Sequence, residues 1–423
     1  MCRMFCLLGF LLAQMLMTTG VVFRSQPERA ISYADSVDAA SSVAQDGDFN
    51  GARGEASTSL PFELIDNRIF IDVRLNNRGP YRFLFDSGVV AIVRPEVARE
   101  LGLPVEGVTR SEGGVGEKKV ERGSTQVAEV QVGEIRLTNQ EFGVISFADD
   151  KAVFGAHQFD GIIGFPLFQR FVVSIDYQRQ RVTFAPPASF VYHGKGMIVP
   201  VELDRHLPQV KGELDGIGGT FVIDTGARSS LILLGPFVEA NDLRSKYHAT
   251  FEGVTGWGIG GPVRSQLARV RLLKLGAVET RDLVARLSLQ KSGALTDTSK
   301  AGLVGYDVLK QFTLVFDYSR RRLIFEKNNA YGKPDAYDRS GMWFGLAGDN
   351  FEIIDVIPGG PAAEAGLQAG DRIIAINGER AAQLDLPATR LKLRSERAQT
   401  RVRLSIESRG ARREVVLILR DLV

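Results

Sequence analysis

The chain has 423 residues, more than one hydrophobic core organises, so two or three domains are expected. With 44% hydrophobic and 24% charged residues and a formal charge of +2, the composition is that of a folded chain and excludes a disordered or collagen-like one. There is no long basic run with interleaved aromatics, so nucleic acid is not expected as a partner.

Residues 1–23 hold an apolar stretch, Met4 to Phe23, behind Arg3, which reads as a signal peptide or an uncleaved signal anchor. The chain meets a membrane only if that segment stays in place. Both cysteines, Cys2 and Cys6, lie there, so a cleaved chain has no disulfide. Residues 24–57 are rich in Ser, Ala, Asp and Gly and read as a flexible linker. After Leu60, runs such as Arg68 to Leu75 alternate at period two, which predicts β-strands with turns such as Asn76 to Gly79 between them.

An internal repeat organises the next 270 or so residues. Phe83-Leu-Phe-Asp86-Ser-Gly88 returns as Phe221-Val-Ile-Asp224-Thr-Gly226, an offset of 138 from Asp86 to Asp224. Gly161-Ile-Ile-Gly164 returns as Gly302-Leu-Val-Gly305, an offset of 141. Matched segments in the same order predict two similar lobes, 58–188 and 189–327. In each lobe an Asp follows a buried apolar run and precedes a small hydroxyl residue, Ser87 or Thr225, and a Gly, Gly88 or Gly226, that allows a sharp turn. Duplication sets the two Asp residues face to face. Two adjacent carboxyls do not both ionise cheaply, so the pair holds one proton over a wide acidic range. The ionised partner can activate a water, and the protonated partner can hydrogen-bond a carbonyl oxygen.

These residues resemble the retropepsin-like and pepsin-like aspartic proteases over about residues 60–327. The motif hydrophobic-hydrophobic-Asp-[Ser/Thr]-Gly occurs twice, each time with a later hydrophobic-hydrophobic-Gly, Ile162-Ile163-Gly164 or Leu303-Val304-Gly305. The resemblance implies catalytic Asp86 and Asp224, supporting loops at Ser87, Gly88, Thr225 and Gly226, and a flap between the two elements of each lobe. Flap candidates are Gly114 and Gly116 in one lobe and Trp257, Gly258 and Gly260 in the other. Trp257 either closes over substrate or packs between lobes. Where the family carries a small residue after the Gly, lobe two has Ala227 but lobe one has Val89, a side chain that narrows the cleft or shifts Asp86.

Other chemistries fit less well. Asp-Ser-Gly at Ser87 lacks the second Gly of a serine-protease motif, and all four histidines follow Ser87, which excludes the His…Asp…Ser order. No His-Glu-x-x-His or other metal spacing occurs, so no metal or other cofactor is expected. The run Arg320 to Arg322 reads as a solvated hairpin turn.

Residues 328–340 are a polar linker, and 341–423 form a third unit. Pro358-Gly-Gly-Pro361, the short helix Ala362 to Leu367, Gly370-Asp371 and the strand Arg372 to Ile376 resemble bacterial-type PDZ domains. By that resemblance Trp343, Phe344, Gly345 and Leu346 form a loop whose N–H groups hold a peptide's C-terminal carboxylate. The alternative is a domain that only packs on the lobes.

The expected fold is mostly β, two pseudo-symmetric lobes around a cleft followed by a small α+β PDZ domain. The expected activity is hydrolysis of internal peptide bonds by a monomer exported to the bacterial periplasm or cell envelope. Its partners are protein or peptide substrates and, through the PDZ domain, peptide C-termini. The competing expectation is an inactive, protease-like peptide-binding scaffold.

Overall fold

The computed structural model describes residues 57–112, 114–147 and 149–423. The expected signal segment, nearly all of the 24–57 linker and both cysteines lie outside them. The fold is mostly β. In the first lobe, strand Arg78–Phe85 pairs with Arg68–Leu75 on one side and, in parallel, with Gly161–Ile163 on the other. Its last residues, Phe83, Leu84 and Phe85, are all buried, because a central strand covered on both faces reads as a continuous apolar run. In the second lobe, Phe221, Val222 and Ile223 end strand Ile217–Ile223 in the same way, beside Gly302–Val304.

The two sheets share one strand succession. In lobe one the order is Glu63–Ile65, Arg68–Leu75, Arg78–Phe85, Gly161–Ile163, Ala91–Val93, Ile135–Ile145, Lys119–Val132, Glu106–Glu112. In lobe two it is Glu202–Asp204, Leu207–Leu214, Ile217–Ile223, Gly302–Val304, Leu231–Leu233, Val278–Ser288, Gly261–Leu275, Glu252–Gly258. A third, six-stranded sheet joins them, with Val172–Asp176 antiparallel to Phe312–Asp317 and Val173 opposite Phe316. Its buried face belongs to the same apolar core as both lobes, with Phe168 packed edge-on against Phe316 at 5.0 Å between ring centres. Truncating such a ring to Ala costs about 3–5 kcal/mol. The Arg320 to Arg322 run turns out not to be merely solvated: Arg320 and Arg322 both pair with Asp317, whose side chain is fully buried. A carboxylate taken out of water needs such partners.

The C-terminal unit has its own core around Phe344, Phe351, Leu404 and Leu417. Strands Met342–Ala347, Asn350–Val356, Arg372–Ile376, Arg401–Ser408 and Ala411–Ile418 form its sheet, with helices Pro361–Glu364 and Leu386–Ser395. The polar segment before it is packed rather than a loose tether. Asp335 is buried, accepts from the Val284 N–H at 2.8 Å and from the Ser230 hydroxyl, and pairs with Arg394 at 3.1 Å. Arg394 also pairs with Asp307 of lobe two at 2.7 Å, and Arg269 donates to the Asp335 and Val423 carbonyls. His157 of lobe one meets Asp385 of the C-terminal unit at 2.6 Å. Among the described residues no helix is long and apolar enough to cross a membrane.

Candidate active site

The apolar strands deliver Asp86 and Asp224 to the floor of a cleft between the lobes. The Asp86 N–H donates to the Ile163 carbonyl at 3.1 Å, and the Asp224 N–H to the Val304 carbonyl at 2.9 Å, which pins each Asp to the second element of its own lobe. Glycine is required there. A Cβ on Gly164 would lie 1.7 Å from the Asp86 carbonyl oxygen, and one on Gly305 would lie 2.4 Å from that of Ser229.

The two loops then lock each other. The Ser87 N–H donates to Thr225 Oγ1 at 2.9 Å, and the Thr225 N–H donates to Ser87 Oγ at 3.1 Å. In return Ser87 Oγ donates to the Ile223 carbonyl at 2.8 Å, and Thr225 Oγ1 to the Phe85 carbonyl at 3.1 Å. Both hydroxyl residues are buried, and these bonds satisfy their side chains across the lobe boundary. Gly226 gives the first carboxyl its room: a Cβ there would sit 2.1 Å from Asp86 Oδ2.

Asp86 and Asp224 are both buried, and their carboxyls share a hydrogen bond. Burial and then the charge of Asp224 push Asp86 well above the usual carboxylate range. Burial lifts Asp224 too, but the N–H groups of Gly226 and Ala227, at 2.9 and 3.1 Å from Oδ1, and the hydrogen bond from Asp86 work against it. The two carboxyls therefore titrate as a pair that holds one proton, with two N–H donors on the Asp224 side. Val89, read as a departure, packs in an apolar cluster with Leu84, Ile92 and Ile162 and also lines the cavity beside Asp86.

Above the floor lies a cavity of about 570 Å³. Hairpins Glu106–Glu112/Lys119–Val132 and Glu252–Gly258/Gly261–Leu275 reach over it. Their tips pair with each other: the Lys118 N–H donates to the Gly260 carbonyl and the Gly260 N–H to the Val115 carbonyl, both at 2.9 Å. A Cβ on Gly116 would lie 2.2 Å from Gly260, and one on Gly258 would lie 2.2 Å from the Val115 oxygen, so these glycines permit backbone-on-backbone contact. Gly114 takes a positive φ of 61° and accepts from the Ala294 N–H at 3.0 Å. Trp257 lines the cavity and stacks on Trp343 of the C-terminal unit at 6.3 Å, so its packing is against that unit rather than between the lobes.

The residues read as a carboxylate-holding loop differ from expectation. Trp343, Phe344, Gly345 and Leu346 lie within strand Met342–Ala347, and Trp343 and Phe344 are buried. Helix Asp150–Phe154 of lobe one packs against this strand, so close that a Cβ on Gly345 would lie 3.0 Å from Ala152 Cα. Arg390 fills the remaining gap and donates to the carbonyls of Phe344, Val153 and Ala152. An exposed strand edge beside apolar side chains is covered here by the chain itself.

Several site residues carry no motif. Arg68 donates to the Gly226 carbonyl at 3.0 Å and to Asp66 at 2.6 Å, and Asp66 also takes Arg228 at 2.7 Å. Burial works to lift Asp66, but Arg228 and Arg68 outweigh it and hold the carboxyl below its ordinary value. Arg228, two residues past Gly226, lies 5.1 Å from the Trp343 ring centre, and Arg390 lies 4.3 Å from it. The Asp224 loop of lobe two, the Glu252–Gly258/Gly261–Leu275 hairpin and the C-terminal unit thus meet at one aromatic ring. Among the described residues no group of three or more His, Cys, Asp or Glu side chains is placed to hold a metal ion.

A search of the curated proteins finds no match to the chain. Residues 71–167 match a family described as aspartyl protease, and residues 352–408 match the PDZ domain. The chain therefore carries an aspartyl protease domain in its first lobe and a PDZ domain near its C-terminus.

Proposed function

We propose that the protein is an aspartic endopeptidase whose catalytic pair is Asp86 and Asp224, contributed by two duplicated lobes of one chain. The observation that carries this reading is the reciprocal Ser87–Thr225 exchange, which holds two buried carboxyls in one hydrogen bond at the floor of the cleft. An extended peptide lies under the paired flaps with its scissile carbonyl over the dyad. Ionised Asp224 takes a proton from water as the water oxygen bonds to the carbonyl carbon. Protonated Asp86 gives its proton to the carbonyl oxygen, which leaves a neutral tetrahedral diol. Asp224 then protonates the leaving nitrogen as the C–N bond breaks, and Asp86 recovers a proton from a diol hydroxyl. The apolar walls, including Leu84, Phe154 and Ile162, suit apolar side chains beside the cut.

The working unit in this reading is a monomer, exported to the bacterial periplasm or cell envelope through residues 1–23. The PDZ domain serves substrate or partner C-termini only after helix Asp150–Phe154 and Arg390 leave its strand edge, and otherwise braces the second flap. Cleavage mapping of a peptide library with the protein from residue 58 onward tests the assignment. Cuts between apolar residues support it. A library that binds but is never cut favours a protease-like peptide-binding scaffold instead.

A further inference from the structure

On the lobe-one side of the cleft the buried guanidinium, Arg68, is paired with Asp66, but the lobe-two side carries a buried guanidinium, Arg286, with no such partner among the described residues. Arg286 is 6% exposed and, among the described residues, makes no ion pair; its guanidinium lies 5.8 Å from the Tyr337 ring centre. Burial, then the like charges of Arg228 and Arg394, lower it to about 10. The nearby carboxylates are engaged elsewhere: Asp66 by Arg68 and Arg228, Asp307 and Asp335 by Arg394. Asp338 is pushed toward its neutral form by burial. An unpaired buried cation is costly, and such groups concentrate where a ligand supplies the missing charge.

Its position is specific. Arg286 and Arg228 both line the dyad cleft and also a second cavity of about 400 Å³ against the PDZ domain. The Nε of Arg228 is buried without a partner among the described residues. Arg286 Nη1 lies 3.4 Å from where a Cβ on Gly256 would be, under the second flap. The register shows that the two lobes differ here. Ile92 pairs with Ile162 and with Gly143, whereas its counterpart Ile232 pairs with Leu303 and with Arg286. Lobe one has a glycine where lobe two has the cation.

We infer that Arg286, with Arg228 beside it, forms a carboxylate subsite on the lobe-two side of the cleft. This rests on the peptidase reading for the path of the peptide and names its substrate class: peptides that are apolar at the cut and carry a carboxylate on one side of it. Either an Asp or Glu side chain or a free C-terminal carboxylate supplies that group, and a guanidinium fork accepts both.

The test is binding to full-length Asp224→Asn protein, which separates recognition from turnover. Fluorescence anisotropy is read for labelled peptides in a Glu/Gln scan across the cut, each with free and amidated C-termini. The expected result is a preference of about tenfold or more, ~1.4 kcal/mol, for the charged member of one pair on one side only. The side-chain source appears in the Glu/Gln pair, and the C-terminal source in the amidation pair. Arg286→Met should bring the ratio to about one, and Arg286→Lys should keep part of it. Equal affinities in every pair, or no measurable binding of any carboxylate peptide, overturn the inference. Selective binding by a wild-type chain that never cuts overturns only the peptidase reading.

Discussion

Replacing Thr225 by Val keeps the volume of the side chain and removes its hydroxyl. Two groups then lose a partner: the Ser87 N–H, now 2.9 Å from Thr225 Oγ1, and the Phe85 carbonyl, now 3.1 Å from it. Both lie in buried loops, so neither recovers a water hydrogen bond. An orphaned buried polar group costs about 1–3 kcal/mol, which gives a loss of about 2–6 kcal/mol for the pair. The reverse bond, from the Thr225 N–H to Ser87 Oγ at 3.1 Å, uses backbone and survives, so the loops loosen on one side only. Asp86, the residue after Phe85, shifts relative to Asp224, and turnover should fall by more than tenfold. Urea unfolding gives the stability change, and steady-state kinetics on one short peptide gives the turnover. A Thr225→Val protein within about 0.5 kcal/mol of wild type would refute the claim that this exchange bonds the lobes at the site.

Other outcomes follow from the same geometry. Activity should be bell-shaped in pH, falling on the alkaline side as Asp86, raised by burial and by Asp224, loses its proton. For stability the sign is fixed by the raised folded value: Asp86 contributes fully below its unfolded value of about 3.9, and the contribution is lost as pH rises through the folded value. Urea midpoints across that range should therefore decline less with rising pH in Asp86→Asn than in wild type. Chelator and alkylating agent should leave turnover within twofold, measured after dialysis, because the proposed steps use neither metal nor thiol. Truncation after Lys327 should lower the melting temperature and the turnover of short peptides together, because it strips the partners of Asp307, Ser230 and Trp257; an unchanged melting temperature would make the PDZ domain an independent tethered module.

The approach of Asp86 to Asp224 was legible because both lobes keep the apolar run, the Asp, the hydroxyl residue and the Gly in one order. The flaps were legible as glycine clusters, since only glycine permits the Gly116–Gly260 approach. What lay beyond reach was anything set by partners far apart in sequence. Arg68 meets Gly226 across 158 residues, and nothing local marks it. The segment before the PDZ domain reads as polar, yet Asp335 is polar because it answers Ser230, Val284 and Arg394. The Trp343 strand reads as a ligand loop because its motif is intact, while the helix that covers it belongs to lobe one.

The most direct measurement is the cleavage rate of Asp86→Asn and Asp224→Asn, each singly, on the best peptide from the library, beside their melting temperatures. The account predicts that both variants fold, melt within a few degrees of wild type and lose turnover by about a thousandfold or more, on the order of 4 kcal/mol in the barrier. Near-wild-type turnover in either variant, with the fold intact, would contradict it.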